Sequence, residues 1–149
     1  MLPPAAHDEI DRLTKSLEAE LIEFRRALHR HPELGHEEHV TTASLVDRLS
    51  DAGLEPRVLS RGTGVICDVV GTLGEPAVLG VRADIDALPL QDVKDVSYRS
   101  RRDGICHACG HDAHTAIVLG TGLVLAELRR LDLLHRSVRL IFQPAEELT

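Results

Sequence analysis

Ala77-Val78-Leu79-Gly80-Val81-Arg82-Ala83-Asp84-Ile85-Asp86-Ala87-Leu88-Pro89 is the stretch that decides the fold class. Residues 77–81 are continuously apolar, as in a central strand covered on both faces. The run then meets two carboxylates at positions i and i+2, Asp84 and Asp86. In open α/β sheets, ligands bind in the crevice outside the carboxyl ends of the strands. The competing reading is a charged strand end with Arg82 as counter-ion.

Working outward, Gly64-Val65-Ile66-Cys67-Asp68-Val69-Val70-Gly71 forms a first strand, with Cys67 as a small buried hydrophobe. Thr72-Leu73-Gly74-Glu75-Pro76 supplies the turn between the two. Upstream, Ile10, Leu13, Leu17, Leu21, Phe24 and Leu28 recur in steps of three and four, which predicts an amphipathic helix over 8–29 capped by Asp8. The Pro32 and Gly35 of His31-Pro32-Glu33-Leu34-Gly35 break it. A second helix is expected over 37–51, with Val40, Leu45, Val46 and Leu49 inward and Gly53 as terminator. Taken singly, His29, His31, His36 and His39 read as surface or hydrogen-bonding residues.

Downstream, 91–103 is a polar loop. A third helix is expected over Ala113–Leu128, with Ala116, Ile117, Leu119, Gly120, Leu123, Val124 and Leu128 available to the sheet. Arg129 and Arg130 suit its dipole. Val138-Arg139-Leu140-Ile141-Phe142 is a further strand, and it too ends in acid, at Gln143-Pro144-Ala145-Glu146-Glu147. The order α-α-β-β-α-β gives an α/β fold.

Composition narrows the classes. With 43% hydrophobic and 28% charged residues over 149 positions, the chain is expected to be soluble and to bury one core. No apolar run is long enough for a bilayer, and the N-terminus lacks the basic flank and apolar core of a signal peptide. A net charge of -7 without a basic patch argues against nucleic acid, and two Phe and one Tyr leave little for base stacking. Three cysteines, two of them spaced C-x-x-C, fit a reducing compartment with metal or redox use.

Those two thiols lie in Cys106-His107-Ala108-Cys109-Gly110-His111-Asp112-Ala113-His114. Three uses can be drawn. A structural zinc knuckle would need four ligands, and no second pair of cysteines exists. A thioredoxin-like pair would leave the histidines and the terminal glutamates unexplained. A catalytic metal site would use Cys109 and His111, with Gly110 letting the backbone turn between them, and Glu147 as a carboxylate ligand. Asp86 could then fix the tautomer of a ligand histidine, and Glu146 could act as base toward metal-activated water.

Three blocks, Arg82–Pro89, His107–Thr115 and Leu140–Glu147, resemble signatures of the M20 metallopeptidase family, in its amidohydrolase branch of N-acyl-amino-acid, hippurate and auxin-conjugate hydrolases. His29-Arg30-His31-Pro32-Glu33-Leu34, followed by Glu37 or Glu38 and Thr41 or Thr42, is similar to that branch's N-terminal block. The resemblance implies a zinc-aminopeptidase-like mixed sheet flanked by helices. It implies two divalent ions (Zn, Mn, Co or Ni) in the full-length protein. Cys109 would bridge or nearly bridge them, His111 and Glu147 would be ligands, Glu146 the general base and acid, and Asp86 a carboxylate behind the ligands. His114 would support the site from the helix start. Asp84 stands where other branches carry a ligand histidine and is left unassigned, and Cys106 is non-ligating.

The family contributes two further ligand histidines and a dimerisation domain from beyond the glutamate pair. The expectation is therefore that 1–149 is the N-terminal part of the catalytic domain, that this chain alone is inactive, and that the strand ending at Phe142 lacks neighbours and forms an association-prone edge. The parent is expected to be a cytoplasmic hydrolase of the amide bond of N-acyl amino acids or similar small conjugates, with no nucleic-acid or membrane partner. Homo-oligomers would form through the absent domain. The alternatives are a dipeptidase or carboxypeptidase of the same superfamily, or, for this chain, a non-catalytic metal-binding or interaction fragment.

Overall fold

The computed structural model describes residues 4–77 and 79–148. The first helix, α1 (Pro4–Arg30), begins ahead of Asp8, so Asp8 lies within it rather than capping it. The predicted apolar stripe is real: Leu13 and Leu28 are buried, and Ile10, Leu21 and Phe24 pack against the core. The helix ends before Pro32, with His29 and Arg30 in its last turn, where cations suit the dipole.

The second helix, α2 (His39–Asp51), starts two residues later than expected. Its N-terminal amides are capped from upstream. The Glu33 carboxylate accepts from Val40 N–H at 3.0 Å and Thr41 N–H at 2.8 Å, a use of Glu33 that no spacing rule anticipates. Leu45 and Leu49 face inward, but Val40 is 65% exposed because it sits at the capped end, beyond reach of the sheet.

Four strands form one sheet in the order β1-β2-β4-β3: β1 (Arg57–Val58), β2 (Val65–Val69), β3 (Leu79–Asp84) and β4 (Val138–Gln143). The two-residue β1 is too short to carry a periodic signal in the sequence. β2 pairs antiparallel with β4, whereas β3 runs parallel to it. Between β3 and β4 the chain crosses over through α3 (His111–Arg130), as a parallel pair requires. Among the described residues no helix is long and apolar enough to cross a membrane.

The sheet corrects two expectations. β3 is the edge of the sheet, not its centre: Leu79 is 59% exposed, and Val78, inside the expected strand, lies outside the described residues. Conversely, the strand ending at Phe142 has neighbours on both sides, so the edges of this sheet are β3 and the short β1. β4 shows why pattern alone misassigned the two. Its one buried face, Val138, Leu140 and Phe142, alternates with half-buried residues, although the strand is central.

That buried face joins Val65, Cys67 and Val69 of β2, with Leu45 and Leu49 of α2 and Val118 and Leu119 of α3, in one core. Ile117 is 65% exposed, on the far side of α3. Gly120 faces α1 rather than the sheet, since a Cβ there would lie 2.5 Å from Leu21 Cδ1. On the other face of the sheet Arg139 and Asp68 pair at 2.7 Å across β2 and β4.

Candidate metal centre

The parallel register sets Asp84 opposite Gln143, so β3 and β4 end together. The segments beyond the two strands therefore emerge at one rim. Ile85 N–H donates to Gln143 O at 3.0 Å and extends the pairing one step. Asp86 then turns inward and is fully buried. Past β4, Pro144 and Ala145 lead into a 3-10 turn (Glu146–Leu148), with Ala145 at φ 55°.

The Cys/His loop reaches the same rim by a backbone bridge, in which Leu88 and Cys106 exchange both N–H to O bonds at 3.0 Å. Gly110 sits at φ 90°, a left-handed conformation that costs glycine little. It turns the chain so that α3 begins at His111, directly after Cys109 and this glycine.

Asp86 links the three segments. Glu147 N–H donates to Asp86 Oδ2 at 2.9 Å. His111 Nδ1 lies 3.1 Å from Asp86 O and 3.2 Å from Asp86 Oδ1. Both neighbours only accept, which assigns the proton to Nδ1 and leaves the Nε2 lone pair for a ligand. His111 Nε2 is 3.9 Å from Glu146 Oε2 and 3.9 Å from Glu147 Oε1.

The Cys109 thiol, half-buried, is pushed up to about 11 by that burial. Cys109, His111 and Glu147 offer a sulfur, a nitrogen and an oxygen within 4.8 Å of one another. A thiolate, an imidazole and a carboxylate in this grouping fit a borderline divalent ion, and a second carboxylate, Glu146, stands beside them. Glu146, Asp86, Cys109, His111 and Glu147 are thus brought to one place.

Sequence reasoning left Asp84 unassigned and gave His114 only a supporting part. Both lie close to His111, in a second grouping with ligand atoms within 4.8 Å. Asp84 also pairs with Arg82 at 2.6 Å, whereas Asp86 contacts His111 and the Glu147 amide. Among the described residues Cys106 belongs to neither grouping, and its buried free thiol precedes the helix rather than opening it.

Behind the centre lies a buried polar layer that sequence alone did not disclose. Asp112, fully buried beside His111, is held by Arg25 Nε and His29 Nδ1, each at 2.7 Å. His29 Nε2 is 3.4 Å from Asp92, which the polar loop 91–103 buries. Burial raises the Asp92 carboxyl, but hydrogen bonds from Ser100 N–H and Lys94 N–H, with the Lys94 ammonium, together outweigh it and lower the group to about 2. The Asp112–His29 and His29–Asp92 partners lie tens of residues apart in sequence, and only the fold pairs them.

Residues 80–149 match the peptidase family M20/M25/M40. N-acetyl-L-cysteine deacetylase of Bacillus subtilis is 46% identical over 132 residues, covering 89% of this chain and 31% of that protein. Thermostable carboxypeptidase 2 of Saccharolobus solfataricus is 39% identical over 136 residues, covering 89% and 33%. Among solved structures, the Bacillus subtilis YXEP protein, described as a dinuclear metal binding peptidase from the M20 family, superposes with a TM-score of 0.82 at 43% identity, covering 89% of this chain and 36% of that one. The chain spans about a third of the length of these relatives.

Proposed function

From the match of residues 80–149 and the likeness to a solved M20 structure, we propose that the chain belongs to peptidase family M20/M25/M40 and that its parent protein hydrolyses the amide bond of N-acyl amino acids or similar small conjugates, with two divalent ions. The observation that carries this reading is the meeting of Cys109, His111 and Glu147 ligand atoms within 4.8 Å, beside Glu146. These three residues would hold metal, and the donor set suits zinc, manganese, cobalt or nickel. A metal bound there supplies Lewis acidity toward a carbonyl oxygen and toward water.

The remaining work falls to the chain's own side chains. Glu146, whose side chain is 37% exposed, takes the proton of the attacking water and passes it to the departing nitrogen. Asp86 keeps the His111 proton on Nδ1 and fixes the Glu147 amide, so two of the ligand residues are oriented by one carboxylate. Three free cysteines fit a cytoplasmic location. A dimerisation domain beyond this chain would provide self-association.

The likeness to a carboxypeptidase favours a second reading, cleavage of peptides by the same machinery. A panel of N-acetyl amino acids and dipeptides, run on the parent protein, separates the two. In that protein Glu146→Gln abolishes turnover and leaves metal content near normal, and Cys109→Ala lowers metal content. A Glu146→Gln variant at wild-type rate would refute the base assignment. Metal analysis and the same assay on this chain alone test whether it is a non-catalytic metal-binding fragment.

A further inference from the structure

We infer that Glu38 is a positioning residue for the glutamate pair: its carboxylate holds Ala145 in the left-handed conformation from which Glu146 and Glu147 leave the backbone. The inference rests on the function proposed above for those two glutamates, but its structural half can be tested without it.

Glu38 is fully buried, and a buried carboxylate is costly unless something requires it. Among the described residues it has no ion-pair partner within salt-bridge distance. It precedes α2, but its side chain makes no capping bond, because Glu33 already takes the Val40 and Thr41 amides. What it does receive is the Ala145 N–H, at 2.8 Å to Oε1 and 107 residues away in sequence.

Ala145 is where such a hold is needed. Its φ of 55° is unfavourable for a residue with a Cβ, and it is buried, so water cannot replace a missing partner for its amide. A hydrogen bond from that amide to a buried side-chain oxygen can sustain the conformation. Two residues on, Glu147 N–H is held by Asp86 Oδ2 at 2.9 Å. The Glu146 backbone therefore lies between two amides clamped by carboxylates from well-separated parts of the chain. Packing adds a third restraint: a Cβ on Gly35 would lie 2.8 Å from Leu148 Cδ1 and 3.0 Å from the Ala145 Cα, so the segment leading to Glu38 presses directly on this turn.

Glu38 Oε2 has no hydrogen-bond partner among the described residues. An amide in its place therefore breaks no bond, and Gln keeps the oxygen that Ala145 uses. This makes Glu38→Gln the rescue and Glu38→Ala the loss.

The experiment is amide hydrogen exchange, read by NMR on the labelled chain, together with titration by Co²⁺ alone, read in the visible spectrum. Glu38→Ala speeds exchange at Ala145 by about tenfold, the worth of one buried hydrogen bond, and leaves the β4 amides unchanged. Its cobalt affinity falls by about tenfold, in the range typical for lost support behind a ligand. Glu38→Gln stays close to wild type in both. Unchanged Ala145 exchange in Glu38→Ala, or an Ala-like effect of Gln, overturns the inference. If Glu38→Ala fails to fold, the wild-type chain still decides, since an Ala145 amide exchanging as freely as in an unstructured peptide also overturns it. Failure of the metal reading shows separately, as a wild-type chain that takes up no cobalt while Ala145 remains protected through Glu38.

Discussion

His107 allows a quantitative test of how the rim is built. The residue is 4% exposed, its Nδ1 has no partner among the described residues, and burial pushes the imidazole down to about 4 from 6.5, with the nearby Asp112 carboxylate opposing. The folded state thus holds His107 neutral, while the unfolded chain takes up a proton below 6.5. A depressed histidine pKa contributes stability that is present above the unfolded value and is lost as pH falls toward the folded one. Between pH 7.5 and pH 5 the loss from this one group is about 2 kcal/mol. Urea denaturation of the wild-type chain and of His107→Gln, at both pH values, isolates it from the carboxylates and other histidines. Wild type should lose about 2 kcal/mol more than the variant on acidification. Equal losses in both would show that His107 accepts its proton without unfolding, and would refute the burial argument.

The Cys109 thiol, raised to about 11 by burial, must lose its proton to bind metal. Cobalt affinity of the wild-type chain should therefore rise about tenfold per pH unit between pH 7 and 9, and Cys109→Ala should flatten that slope; a flat wild-type profile would remove the thiolate from the ligand set. Gly71 and Gly74 flank the same turn but differ in what a methyl group would meet. A Cβ at Gly71 would lie 2.4 Å from His135 O, whereas at Gly74, with φ 66°, nothing lies within 4 Å. Gly71→Ala should cost about 2–3 kcal/mol by overpacking and Gly74→Ala about 1 kcal/mol by conformation alone, ranked by denaturation midpoints. Equal costs would refute the steric reading of Gly71.

Features written in local spacing were legible in the sequence. The stripe of α1 and the acid-tipped ends of two strands come from periodicity and turn chemistry within a few residues. Asp86, Cys109, His111, Glu146 and Glu147 stood out because polar, metal-binding types were crowded beside apolar runs, and the family resemblance joined them. What stayed hidden is spatial order. Residues 77–81 read as central because they are apolar, yet β3 is an edge and β4, which alternates, is central. Val40 and Ile117 matched the helical period but lie where no neighbour covers them. His29, Glu33 and Glu38 fell within the block that resembles the family, but what they hold was not readable: Glu33 caps the next helix seven and eight residues on, and Glu38 and the Asp112–His29 pair meet only after the chain has folded back on itself.

The spatial order also sets the sequence of events during synthesis. β2 and β3 are not neighbours, because β4, made after both, inserts between them. Until β4 leaves the ribosome the sheet has a gap at its middle, and two strand flanks wait without partners. The glutamate pair comes directly after β4 on the same segment, so closing the gap and delivering the acidic groups to Asp86 are one step. A nascent chain halted before residue 138 would hold the thiol and the imidazole but neither the seam nor the acids, and its bare flanks would be targets for chaperones.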